Sequence, residues 1–243
     1  MTAPRPHRSR RSDLFGTLVA AIALVAGRPG TAADQLGHAP SGVVEGHPGL
    51  ARSPRHTTTA QGRQGDAVNV GFIGTEADLH RMLAAAGWYA ADPITLKTSL
   101  RIAADCVLHK PYAHAPVSDL YLWGRVQDAA FEQPVGDSPT QRHHVRFWRS
   151  RELDRHGKPL WLGAATFDER VEISRTTGGF THKIGPQIDR ERDKLLGDAI
   201  SADALDGYYW IEEFHHAAEG RNGGGDPYVT DRRLAVGVIE LIR

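Results

Sequence analysis

The sequence predicts an α+β domain, a mostly antiparallel sheet with two early helices and one late helix packed on it. Three observations carry that expectation. Two helix-period segments come first, in residues 75–108; a set of short apolar runs bounded by turn residues follows; and one more helix-period segment interrupts those runs at 186–202. With 40% apolar residues the 243-residue chain can bury a substantial core.

The elements follow in chain order. Arg5, Arg8, Arg10 and Arg11 form a basic start, residues 14–26 (LFGTLVAAIALVA) an apolar stretch, and Thr31-Ala32-Ala33 a small-residue cleavage site, so residues 1–33 read as a signal peptide. About 13 apolar residues fall short of the roughly 20 that cross a bilayer. Ser9-Arg10-Arg11 suggests twin-arginine export, while Asp13 stands where that signal carries an apolar residue, so the export route stays open. The expected product is periplasmic or extracellular. Residues 34–66 are rich in Gly, Pro, Ser, Thr, His and Arg without periodicity and read as a disordered linker, which places the globular domain at 67–243.

Within 67–243, residues 68–73 form a β-rich run. Thr75 and Asp78 make a capping box for a helix that ends at Gly87. A second amphipathic helix is expected at 95–108, in which Cys106 is a core filler. Residues 120–123, 141–148, 160–167, 207–214 and 234–241 read as strands, with Asp154-Arg155-His156-Gly157 closing a hairpin between the middle pair.

Charge and cysteine content exclude several function classes. The formal net charge is +0, and beyond residue 33 the chain carries 24 basic and 28 acidic residues. A phosphate-tracking surface shows the opposite bias, so nucleic acid is not an expected partner. A single cysteine excludes a disulfide framework and a thiolate metal cluster within one chain.

Three polar groups of residues stand out as candidate sites. In a strand over 141–148, Gln141, His143, Val145 and Phe147 share one face and Arg142, His144, Arg146 and Trp148 the other, so His143 and His144 cannot reach one site. The second face is the functional one, and His144 with Arg146 is its anion-binding pair. In the late helix Asp189, Arg192 and Asp193 continue the apolar stripe of Ile188, Leu195, Leu196 and Ala199, and burying them requires pairing or a ligand. Glu191 points away from its arginine neighbours and is a candidate proton carrier if a loop covers it. Asn222, Gly223, Gly224, Gly225 and Tyr228, bracketed by Arg221, Asp226 and Asp231, form a glycine loop able to present N–H groups to an anion, or else an ordinary long connection.

Several of these runs together resemble the LssY C-terminal domain family, a type I secretion system component in name. They are Ala115-Pro116-Val117-Ser118 through Gly124-Arg125, Arg142-His143-His144-Val145-Arg146-Phe147-Trp148, Trp161 through Asp168, Thr181-His182, Asp189 through Asp193, and Gly220 through Tyr228. The resemblance covers about residues 66–239. It implies no particular activity. It does imply a membrane protein of the lipid-phosphatase or DedA type as partner, because family members are often joined to such modules. The chain departs from the pattern at Lys183 and Gly185, where a histidine and an acid are expected, and those two changes weaken the case for any divalent metal carried over from the family. No cofactor is identifiable, and a divalent metal stays open.

Two function classes follow. The favoured one is an envelope-associated ligand-binding or accessory module with a polar His/Asp/Arg pocket. The alternative is a hydrolase of phosphoesters or other anionic envelope substrates, in which His144 or His182 is base or nucleophile, Asp168 orients a histidine, and Arg146 and Arg192 hold the anion.

Overall fold

The computed structural model describes residues 46–91, 119–136, 138, 141–173 and 180–240, without the side chains of 170–173 and 180–182. All of them fall in one compact unit, 31–243. The expected signal peptide and the expected helix at 95–108 lie outside the described residues.

The first strands are β1 (His56–Thr59), β2 (Gln64–Ala67) and β3 (Val70–Ile73), followed by helix α1 (Glu76–Ala85) and strand β4 (Tyr89–Ala90). After them come β5 (Leu120–Leu122), β6 (Arg125–Val126), β7 (Ala129–Pro134), β8 (Arg142–Leu153), β9 (Pro159–Ile173) and β10 (Phe180–Ile184). Helix α2 (Ile188–Ser201) precedes β11 (Leu205–Ile211), β12 (Glu219–Arg221), β13 (Pro227–Val229) and β14 (Leu234–Ile239). Fourteen strands in three sheets and two α-helices, among the described residues, make this a mostly-sheet fold and correct the α+β expectation.

The physical reason lies in the strands the pattern did not reveal. Strands β4, β6, β12 and β13 are two or three residues long, too short to show a period, and β1 (HTTT) sits inside a low-complexity run. Helix α1 does begin on a capping box: the Asp78 N–H donates to Thr75 Oγ1 at 3.2 Å and the Thr75 N–H donates to Asp78 Oδ2 at 2.9 Å.

The large sheet runs β11-β14-β3-β9-β8-β7-β4, with β10 paired to β9; every pairing is antiparallel except β14 with β3. Alternation along β8 and β9 sorts their side chains onto two faces. Val145, Phe147, Trp161 and Ala165 meet Leu79, Met82 and Leu83 of α1 and Leu195 and Ala199 of α2. Trp148, Leu160, Leu162 and Ala164 meet Leu120 and Leu122 of β5. Both helices therefore cover one face of the large sheet, and the four-stranded sheet β2-β1-β5-β6 covers the other. Gly163 sits where a Cβ would come within 2.7 Å of both Phe147 and Val70, so only glycine lets these strands and rings close together.

The stretch expected to be linker contributes to this packing. Thr57 is fully buried, Asp66 is nearly so, and His47 Nδ1 accepts from the Gly49 N–H while its Nε2 lies 3.0 Å from the Lys158 carbonyl. Strand β1 also joins β2 to β5, so removing 56–66 would delete a strand from the middle of the small sheet. A fragment starting at Ala67 is expected to lose cooperative unfolding in a denaturant titration, while one starting at Gly46 keeps it. Equal cooperativity of the two fragments would return residues 46–66 to the linker.

Candidate functional site

Along β8 the face under the small sheet changes character. Trp148 is fully buried against Leu162, whereas two and three positions further along that face stand His144 and Arg142. The register places Arg142 opposite Asp168, His144 opposite Thr166 on β9 and Glu132 on β7, and Arg146 between Ala164 and Ala130. Small neighbours leave Arg146 room to extend, and it reaches Asp66 at the end of β2, Nη1 to Oδ2 3.5 Å. Arg142 donates to Glu132 at 2.9 Å and lies 3.5 Å from Asp168. Two guanidiniums thus meet three carboxylates, all at least five-sixths buried, where the apolar part of the sandwich ends.

Burial governs the protonation of these acids. Asp168 is pushed up to about 7, because desolvation outweighs the attraction of Arg142 and Arg146 and is reinforced by Asp66 and Glu132. Desolvation also raises Asp66, against Arg146 and with the help of Asp226. Burial thus works against ionisation of both carboxyls.

Tyr228 and the glycine loop flank this cluster. Burial and the nearby Asp66 raise the Tyr228 phenol, and its hydroxyl lies 2.7 Å from His56 Nε2. Burial, then the neighbouring His215 and Arg55, lower His56 to about 4, so that ring is neutral. The loop itself is folded inward: the Gly224 and Asp226 N–H groups donate to Asn222 Oδ1 at 3.0 and 2.8 Å, and the Gly225 N–H to the Asn222 carbonyl at 3.0 Å. A Cβ on Gly223 would come within 2.8 Å of Thr59 Cγ2 and 3.4 Å of Gly65 Cα, so that glycine serves close packing on the β1–β2 hairpin. Three of the N–H groups that an anion cradle would need are therefore already satisfied by Asn222.

Asp189, Arg192 and Asp193 form a separate cluster. The Arg192 side chain is fully buried and donates from Nε to Asp193 (2.8 Å), from Nη1 to Asp189 (3.2 Å), Asp231 (2.7 Å) and the Arg233 carbonyl (3.1 Å), and from Nη2 to Asp231 (2.9 Å). Its guanidinium also stacks 4.8 Å from the Trp210 ring centre, with Arg233 at 4.5 Å from the same ring. Burial opposes ionisation of Asp231, but hydrogen bonds from Arg192 and Arg233 overcome it and hold that acid below the usual range. This saturated knot ties α2 to the strand segment before β14. It shares no hydrogen bond or ion pair with the Asp168 cluster among the described residues.

The candidate residues therefore divide. His144, Arg146 and Asp168 come together on one face; Asp189, Arg192 and Asp193 form the knot; Glu191 bonds His143 on the opposite face, under the helices. His182 stands on β10 opposite Val171, and its side chain lies outside the described residues. Asp66, Glu132 and His56 were missed as site residues: Asp66 and His56 were assigned to linker, and only the β7–β8 register brings Glu132 beside Arg142. Among the described residues no group of three or more metal-binding side chains occurs.

A family model for the LssY C-terminus matches residues 50–234. The chain belongs to the LssY C-terminus family. This LssY match begins six residues before β1, so the family domain includes the hairpin that carries His56 and Asp66. Every residue of the Asp168 cluster lies inside it. Neither a curated protein nor a solved structure matches the chain. Among the described residues no helix is long and apolar enough to cross a membrane.

Proposed function

We propose that this LssY C-terminus family member is exported and is an envelope-associated ligand-binding module, taking a small anion at Arg142 and Arg146. The observation that supports this reading is the pair of buried arginines set among carboxyls that burial drives toward neutrality. An incoming anion competes with Asp168 and Asp66 for the guanidiniums, and a displaced Asp168 is neutralised by taking up a proton near pH 7. A carboxyl that protonates near neutral pH, as that of Asp168 does, makes the exchange accessible without a large pH change. Export rests on the basic start and short apolar stretch of residues 1–33, and the recovered protein is expected to begin near Asp34 by mass analysis. An envelope species retaining Met1 would contradict that part.

The hydrolase alternative needs His144, Asp168, His182 and Arg192 in one cleft; Arg192 is committed to the knot, and the side chain of His182 lies outside the described residues. A docking role would be favoured by one contiguous apolar patch. Among the described residues the exposed large apolar side chains are Tyr89, Trp123, Val126, Leu153 and Val229, spread over β4, the β5–β6 hairpin, the end of β8 and β13.

Sulfate is a suitable probe because it does not titrate near neutrality. Calorimetric titration at pH 7 in buffers of different ionisation enthalpy is expected to show sulfate binding with proton uptake, tighter at pH 6 than at pH 8. Arg146→Met should abolish the binding while retaining a cooperative melt. Absence of sulfate binding at pH 6, or equal binding by the variant, would refute the anion site.

A further inference from the structure

The face of the large sheet that packs under the helices carries a second chemical group, which the anion site does not use. His143 projects from β8 on the same face as Val145 and Phe147, and its Nδ1 lies 2.7 Å from Glu191 Oε2 in the first turn of α2. The Glu191 side chain is 7% exposed and that of His143 17%, so the carboxylate is the inner partner and the imidazole the outer one. The ring is held by Phe167, 5.2 Å between centres, and by Trp88 at 6.3 Å.

This arrangement decides where the proton sits. A carboxylate oxygen accepts, so Nδ1 donates this bond, and in a neutral ring Nε2 then keeps its lone pair. Among the described residues no donor reaches Nε2, and it is not among the buried side-chain atoms that lack a partner. One nitrogen is pinned and the other has no hydrogen-bond partner among the described residues. His144, one residue on, lies on the opposite face of the sheet and takes no part.

We infer that His143 and Glu191 form a second, proton-accepting centre, whose substrate class is a hydroxyl-bearing ligand or a water molecule. In the step implied, the O–H bond breaks as its proton moves to Nε2. The electron pair stays on oxygen, and the resulting imidazolium is stabilised by Glu191 through Nδ1–H. A structural tether between α2 and β8 would need the same hydrogen bond but would not need Nε2 left open.

Two measurements on the full chain separate these roles. Nitrogen-15 NMR is expected to show His143 as the Nδ1–H tautomer. Diethylpyrocarbonate, which imidazole attacks through an unprotonated nitrogen with loss of ethyl carbonate, is expected to acylate His143 at least as fast as the exposed His216, despite its lower exposure. Glu191→Gln should slow His143 about tenfold through loss of the fixed tautomer, with His216 unchanged. Asp168→Asn should leave the His143 rate unaltered, which keeps this test separate from that of the anion site. An Nε2–H tautomer, slower acylation of His143 than of His216 in the native chain, or an unchanged rate in Glu191→Gln would overturn the assignment.

Discussion

Arg192→Met is expected to cost about 3–5 kcal/mol of stability, the usual penalty for removing one member of a buried ion cluster. Methionine retains most of the aliphatic stem, so the packing around that stem changes little. What disappears is the positive charge serving Asp189, Asp193 and Asp231. Asp189 and Asp193 are already raised by burial, against the attraction of Arg192, and without that attraction they protonate further or drag water into the helix–sheet joint. Asp231 keeps Arg233, so part of the knot survives. Denaturant unfolding at pH 7 reads the effect directly, and a loss under about 1 kcal/mol would mean that the three acids are well solvated. Adding Asp193→Asn to Arg192→Met should recover part of the loss, because a stranded carboxylate costs more than an amide in the same place.

The helix cluster was the most legible part of the site, and the reason is geometric. Charges that continue an apolar stripe at helical spacing must be buried, so the need of Asp189, Arg192 and Asp193 for pairing or a ligand follows from spacing alone. Its closure by Asp231 and Arg233, some 40 positions away, does not. Strand alternation likewise separated His143 from His144 and put Arg142, His144 and Arg146 on one face before any contact was known. Register was invisible: Asp168 reaches Arg142 because β8 and β9 pair at that offset, and nothing local in either strand specifies it. Asp66 failed for another reason. Gly65 is required there by close approach, since a Cβ would come within 2.4 Å of Thr57 Oγ1, yet in sequence it reads as one more glycine in a polar run. Short strands stabilised by neighbours rather than by their own pattern make the chain look less sheet-rich than it is, and one of them hides Asp66, the partner of Arg146 in the proposed anion site, in what reads as a linker.

Asp168→Asn is expected to make the protein more stable above neutral pH. The carboxyl titrates at 3.8 in its ordinary setting and at about 7 in the fold, so between those values the folded state holds a proton that the unfolded state has released. Stability contributed by this group is therefore greatest below about pH 4 and falls as pH rises toward 7. At 1.36 kcal/mol per pH unit the gap corresponds to about 4 kcal/mol, all of it lost above pH 7. Asparagine cannot ionise, so the variant should match the native protein within about 1 kcal/mol at pH 4 and exceed it by up to about 4 kcal/mol at pH 8. Loss of the ion pair to Arg142 works in the other direction, but at 3.5 Å that pair is looser than the 2.9 Å bond Arg142 keeps to Glu132. Desolvation is the larger effect. Melting curves across pH 4–8 test this, and a variant less stable than the native chain at pH 8 would show that Arg142 and Arg146 outweigh burial. The same substitution should flatten the pH dependence of sulfate binding and abolish its proton uptake. A carboxyl that weakens the fold at neutral pH carries a cost in stability, and the proposed anion, which would share two arginines with it, supplies a reason for that cost.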